Sequence, residues 1–123
     1  LTESGQGFED MGNTKLDPND DYTDFAKLVA EKVSKKSESD KGILICGSGV
    51  GVDITANKFH NVRSALADDV ATAKQSREHD NTNVLSLPSD EVDSALAQKI
   101  VSAWLSTPFS GGEKHKRRID KME

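Results

Sequence analysis

The sequence holds no apolar run approaching the length of a membrane span, and nothing at its start reads as a secretory leader. Cysteine is almost missing. The single residue, Cys46, excludes an internal disulfide and fits a reducing, cytoplasmic setting. Positive charge is in deficit, with 16 Lys and Arg against 21 Asp and Glu, and a net charge of −5 argues against nucleic acid as the main partner. There is no internal repeat and no low-complexity segment. What remains is a chain of 123 residues, 34% hydrophobic and 30% charged, enough for one domain (residues 1–123) with a modest core. Its positive charge is uneven: Lys114, Lys116, Arg117 and Arg118 crowd the C-terminal end.

The most informative stretch is Lys41 to Phe59, KGILICGSGVGVDITANKF. Gly42 to Cys46 is a short apolar run with β-branched residues, which predicts a buried strand of a parallel sheet. Gly47-Ser48-Gly49-Val50-Gly51 is too glycine-rich for a regular element and suits a tight turn. Val52 to Lys58, with Ile54 and Ala56 among polar residues, predicts a short helix. Strand, glycine turn and helix together can receive an anion, because the backbone approaches closely and a helix start offers unpaired N–H groups. Cys46 ends the strand, where open α/β sheets bind ligands, and the same positive field favours a thiolate. A turn that uses glycine only for packing is the alternative. The turn is not a Walker A loop, since Val52 and Asp53 follow Gly51. It is not the dinucleotide fingerprint either, whose third glycine would fall at Val52.

Around this centre, strands and helices alternate. Leu1 to Gly5 reads as a helix end, Gly7 to Met11 as a short edge strand and Lys15 to Asn19 as a loop. Tyr22, Phe25, Ala26, Val29 and Val33 follow helical spacing from Asp20, with Asp20, Asp21 and Asp24 at the start. Ser37 to Asp40 is a polar connection. Asn61 to Ala67 predicts a strand, Asp68 and Asp69 open a helix to about His79, and Asn83 to Leu87 predicts another strand. Ser89 is a suitable N-cap for a helix through Val92, Leu96, Ile100 and Ala103 to Leu105. Ser106 to Gly112 is a loop, and the basic tail follows. The alternation predicts a three-layer α/β fold with a mostly parallel sheet.

Three segments, ILICGSGVGVDITANKF (Ile43 to Phe59), SREHDNTNVL (Ser76 to Leu85) and AWLSTPFSGGEKHKRRIDK (Ala103 to Lys121), resemble the ribose-5-phosphate isomerase B family, which also contains the galactose-6-phosphate isomerase subunits. They occur in the family's order over essentially the whole chain. The resemblance implies a Rossmann-like three-layer fold, a homodimer or homotetramer with active sites shared between subunits, and no metal or cofactor. It implies aldose–ketose isomerisation of a sugar phosphate through an enediolate. Cys46 would be the base, and Gly47, Ser48, Gly49 and Gly51 the anion hole. His79 would assist ring opening, Tyr22 would contact the sugar, and Lys114 and Arg118 would meet the phosphate.

The sequence also departs from the family pattern. It begins after the first strand that carries an Asp-His pair, so it is expected to be a fragment or to have lost activity. Asp80-Asn81 follows His79 where Asn-Asp is usual, placing Asp80 at a substrate contact. Asp90 replaces a phosphate-binding arginine, and Lys114 replaces an arginine fork with a point charge. Other readings of single residues stay open at this point: His79 as a helix terminus, Tyr22 as a core residue, the basic tail as a solvated face. Two rival functions do as well: a non-catalytic subunit of the same fold, and a flavodoxin-like domain for a nucleotide or small anion.

Overall fold

Side-chain alternation along the strands sets the layers. In the computed structural model, which describes residues 21–37 and 39–122, the chain runs α1 (Tyr22–Lys35), β1 (Gly42–Cys46), α2 (Val50–Ala56), β2 (Ser64–Leu66), α3 (Val70–Asp80), β3 (Val84–Pro88), α4 (Ser94–Ser106) and α5 (Glu113–Asp120). The described strands form one parallel sheet in the order β1-β3-β2. Leu44 and Val84 point to one face, where they bury against Ala26, Ala30 and Val33 of α1 and Val52 and Ala56 of α2. Leu85 and Leu87 point to the other, against Ala73 of α3 and Ile100 and Trp104 of α4. Helices therefore cover both faces, as in a three-layer fold. Trp104 is the largest fully buried side chain, and its indole N–H donates to Thr82 Oγ1 at 2.9 Å. Among the described residues no helix is long and apolar enough to cross a membrane.

The parallel α/β reading stands, with local corrections. The expected features at Leu1 to Gly5, Gly7 to Met11, Lys15 to Asn19 and Asp20 lie outside the described residues, as does any strand before β1. The second strand is shorter than Asn61 to Ala67, because Asn61 takes a positive φ of 65°. The Asn83 side chain holds that entry, donating to Asn61 O at 2.7 Å and accepting from Arg63 N at 2.8 Å. α2 begins at Val50 rather than Val52, since Gly49 serves as its left-handed N-cap. Ser89 does not cap α4: its N–H donates to Cys46 O at 2.9 Å, and the chain turns across the end of β1. Asp93 takes the capping role, its carboxylate accepting from Leu96 N at 2.8 Å. The tail, for which no element is expected, forms α5.

Candidate active site

The carboxyl end of β1 gathers one half of the expected site. Cys46 is the last residue of β1, opposite Pro88 in the ladder, and is partly buried beside the α1–α2 core. The turn behind it is built so that only glycine fits at its centre. Gly49 has φ 74°, a left-handed conformation, and a Cβ there would lie 2.6 Å from Leu66 Cδ1 and 3.2 Å from the Leu87 carbonyl carbon. Ser48 Oγ accepts from Val50 N at 3.3 Å, which ties the turn to the first residue of α2. Tyr22, the first residue of α1, lies against Gly51, where an added Cβ would come within 2.6 Å of its ring. The ring is half-exposed, so Tyr22 faces the turn rather than the core. Main-chain N–H groups therefore stand near Cys46 with no bulky side chain of their own in the way.

Asp90 belongs to this end as well. Its N–H donates to Gly47 O at 2.9 Å, and its carboxylate Oδ2 reaches 3.0 Å from where a Gly47 Cβ would be. A negative charge thus borders a turn that otherwise suits an anion. A second carboxyl lies behind the turn: Asp53, on α2, accepts from Ser64 Oγ at 2.6 Å, and Ser64 Oγ meets Ser86 Oγ at 3.0 Å. Burial pushes the Asp53 carboxyl up, against the lowering effect of the two hydroxyls.

The other expected residues sit elsewhere. His79 and Asp80 end α3, and the chain passes through Asn81 to the start of β3, at the amino end of the sheet. Lys114 and Arg118 lie on α5, which docks there: the His79 and His115 rings stack at 4.5 Å with 9° between planes, and Ser110 N donates to Glu78 O at 3.2 Å. His115 has no expected role in the sequence reading. Desolvation first, then His79, Lys114 and Arg118, hold its imidazole below the ordinary value, while Asp80 opposes them. A five-residue strand advances roughly 13 Å, so Cys46 and the His79 cluster of one chain are too far apart for a shared contact. Among the described residues, no three His, Cys, Asp or Glu side chains group as metal ligands.

This geometry coincides with extensive likeness to known proteins. The family model for ribose/galactose isomerase matches residues 1–122. A probable ribose-5-phosphate isomerase B of Mycoplasma genitalium is 52% identical over 113 residues, covering 92% of this chain and 74% of that protein. Ribose-5-phosphate isomerase B of Escherichia coli is 42% identical over 122 residues, covering 99% and 80%. The crystal structure of ribose-5-phosphate isomerase B from Mycoplasma genitalium with bound ribulose-5-phosphate superposes with a TM-score of 0.94 at 49% identity, over 98% of this chain and 79% of that one. An α/β sheet ending in a cysteine and a glycine turn, matched over nearly its full length by such relatives, places the chain in the ribose/galactose isomerase family.

Proposed function

We propose that the chain interconverts an aldose phosphate and a ketose phosphate of the ribose 5-phosphate/ribulose 5-phosphate type through an enediolate. The observation that carries this reading is Cys46 at the head of the glycine turn, in a chain 49% identical to a relative crystallised with ribulose-5-phosphate. A proton beside a carbonyl is weakly acidic, so its removal needs a base paired with donors aimed at the developing oxyanion. Cys46 takes the proton from one carbon and returns it to its neighbour. The N–H groups of Gly47, Ser48, Gly49 and Gly51 hold the enediolate oxygen meanwhile, and Tyr22 borders the sugar. His79 assists ring opening, Asp80 contacts the sugar, and Lys114 and Arg118 anchor the phosphate, which positions the reacting carbons.

These two groups occupy opposite ends of one sheet, which supports a site completed by a second copy. Such an arrangement has a sharp test. Cys46→Ala and Arg118→Ala should each be nearly inactive alone, yet regain activity when refolded together. In a hybrid dimer one of the two sites receives Cys46 and Arg118 from different, intact sources. With random pairing half of the dimers are hybrids, so about a quarter of the wild-type activity returns. No recovery, with hybrids demonstrated by mass spectrometry, would rule out shared sites. Asp90 beside Gly47 favours one other reading, a non-catalytic subunit of the same fold. Absence of turnover with saturating ribose 5-phosphate would select that reading.

A further inference from the structure

The amino end of the sheet also holds positive charge that the reaction above does not use. A cavity of about 410 Å³ opens there, with Lys41, Arg63, Arg77, Asn81, Asn83 and Asp120 in its wall. The chain brings them together through topology: Lys41, Arg63 and Asn83 immediately precede β1, β2 and β3, and parallel strands share one amino end. Arg77, on α3, is 7% exposed. Its Nε donates to Thr107 O at 3.0 Å, and its Nη1 donates to Asn81 Oδ1 at 3.1 Å and to Thr82 O. Arg63 Nε donates to Asn81 O at 2.9 Å. Both guanidinium groups are therefore fixed by main-chain carbonyls rather than by acids.

Among the described residues no carboxylate forms an ion pair with Lys41, Arg63 or Arg77. Asp120 is the acidic group in the wall, set against three cations. Clustered cations withdrawn from water are unfavourable without a counter-charge. Lys41 and Arg77 feel this burden. Burial and then Arg77 pull Lys41 below its ordinary value, and burial and then Arg63 do the same to Arg77. Preset guanidinium forks and amide groups match phosphoryl oxygens in geometry as well as charge.

We propose that this cavity binds a small, multiply charged anion of the phosphate-ester or pyrophosphate class, at a site separate from the isomerisation site. It lies at the end of the sheet away from Cys46. It also differs from the His79 cluster: Arg77 and His79 leave α3 two residues apart, roughly 200° around the helix, so they point to different sides of α3, while α5 borders both, with Asp120 in the cavity wall and His115 on His79. An anion held by Arg77 and Asn81 would brace the last turn of α3, from which His79 projects. The proposal does not rest on the isomerase reading, whose failure would appear as missing turnover rather than missing anion binding.

The test is calorimetric titration of the full chain with inorganic pyrophosphate at low ionic strength. Saturable binding is expected. Lys41→Gln removes one cation from an exposed position and should weaken that binding by about tenfold, the worth of one charge-assisted contact. Because Arg118 anchors phosphate in the isomerisation site proposed above, the titration is repeated in an Arg118→Ala background, where the cavity's own binding should persist within about twofold. No binding by the wild-type chain would overturn the proposal, as would unchanged affinity in Lys41→Gln. Loss of binding in Arg118→Ala but not in Lys41→Gln would place the anion on the His79 face instead, and overturn it equally.

Discussion

Gly49 is the position where the turn has least freedom, and replacing it with alanine separates steric necessity from mere abundance of glycine. Its φ of 74° is a conformation that costs an alanine about 1–2 kcal/mol. The added methyl would meet Leu66 Cδ1 at 2.6 Å, and the Leu87 carbonyl carbon and Pro88 N each at 3.2 Å. Leu66 can swing aside, but the main chain of β3 cannot, and such crowding costs about 1–3 kcal/mol. Together these give about 2–5 kcal/mol, and a domain of this size loses about 3–6 °C of Tm per kcal/mol. Far-UV circular dichroism melts of Gly49→Ala should therefore fall at least about 6 °C below wild type. Gly51→Ala is the control. Its neighbour is the half-exposed Tyr22 ring, which can rotate into solvent, so the melt should move little while KM rises. Equal melting losses in the two variants, or a Gly49→Ala melt matching wild type, would refute the argument that β3 closes the turn.

Cys46→Ala should abolish isomerisation while leaving the melt nearly unchanged, and Cys46→Ser should be almost as poor, because a hydroxyl ionises far less readily than a thiol. Substantial turnover in the alanine variant, followed by a coupled spectrophotometric assay, would remove Cys46 from the mechanism. Arg118→Ala should raise KM more than it lowers kcat, with a loss in kcat/KM of about one to two orders of magnitude. Asp90→Arg should lower KM, since it exchanges a carboxylate for a cation beside Gly47; steady-state kinetics with ribose 5-phosphate reads both. The Asp53 carboxyl is raised above its ordinary 3.8, so the folded state holds its proton more tightly than the unfolded chain does. Folding at this site is thus favoured as pH falls through the window just above 3.8, and the ionised form is a burden at neutral pH. Asp53→Asn keeps an acceptor for Ser64 and should raise the melt at pH 7, with the gain shrinking on acidification through that window. A gain that grows on acidification would contradict this assignment.

Much of the molecule was legible because local and tertiary signals agree. Gly42 to Cys46 forms the apolar strand its composition suggests, with Leu44 buried under α1 and α2, although Ile45 on the other face stays exposed; Asp69 caps α3 through a 2.6 Å contact from Thr72 N, as its position before a helical run suggests. The errors fall where a distant partner claims a local signal. Ser89 is a good cap by composition, but its N–H is already committed to Cys46 O, so the helix waits for Asp93. The strand before Ser64 is cut short because the Asn83 side chain, twenty residues away, stands in for a ladder partner. Helix α5 escaped notice because it has almost no apolar stripe; it forms against α3, where His115 meets His79. In the candidate site, the sequence motifs name residues but not where the fold puts them. Nothing local reveals that Cys46 and His79 end up at opposite ends of the sheet, or that Lys41, Arg63 and Arg77 meet.

The strand order has a bearing on how the protein matures. β1 and β2 are successive described strands, yet they do not pair; β3, which comes after both, sits between them and supplies both ladders. As the polypeptide leaves the ribosome, β1 and β2 must wait, each with an edge unmet, until residues 84–88 arrive. The wall over Gly49 is made of Leu87 and Pro88, and the Asp53–Ser64 pair reaches Ser86. The glycine turn beside Cys46 is thus walled in only when the last of the described strands arrives. A chain interrupted before β3 has the thiol and the glycines in sequence but lacks the wall that fixes them in space.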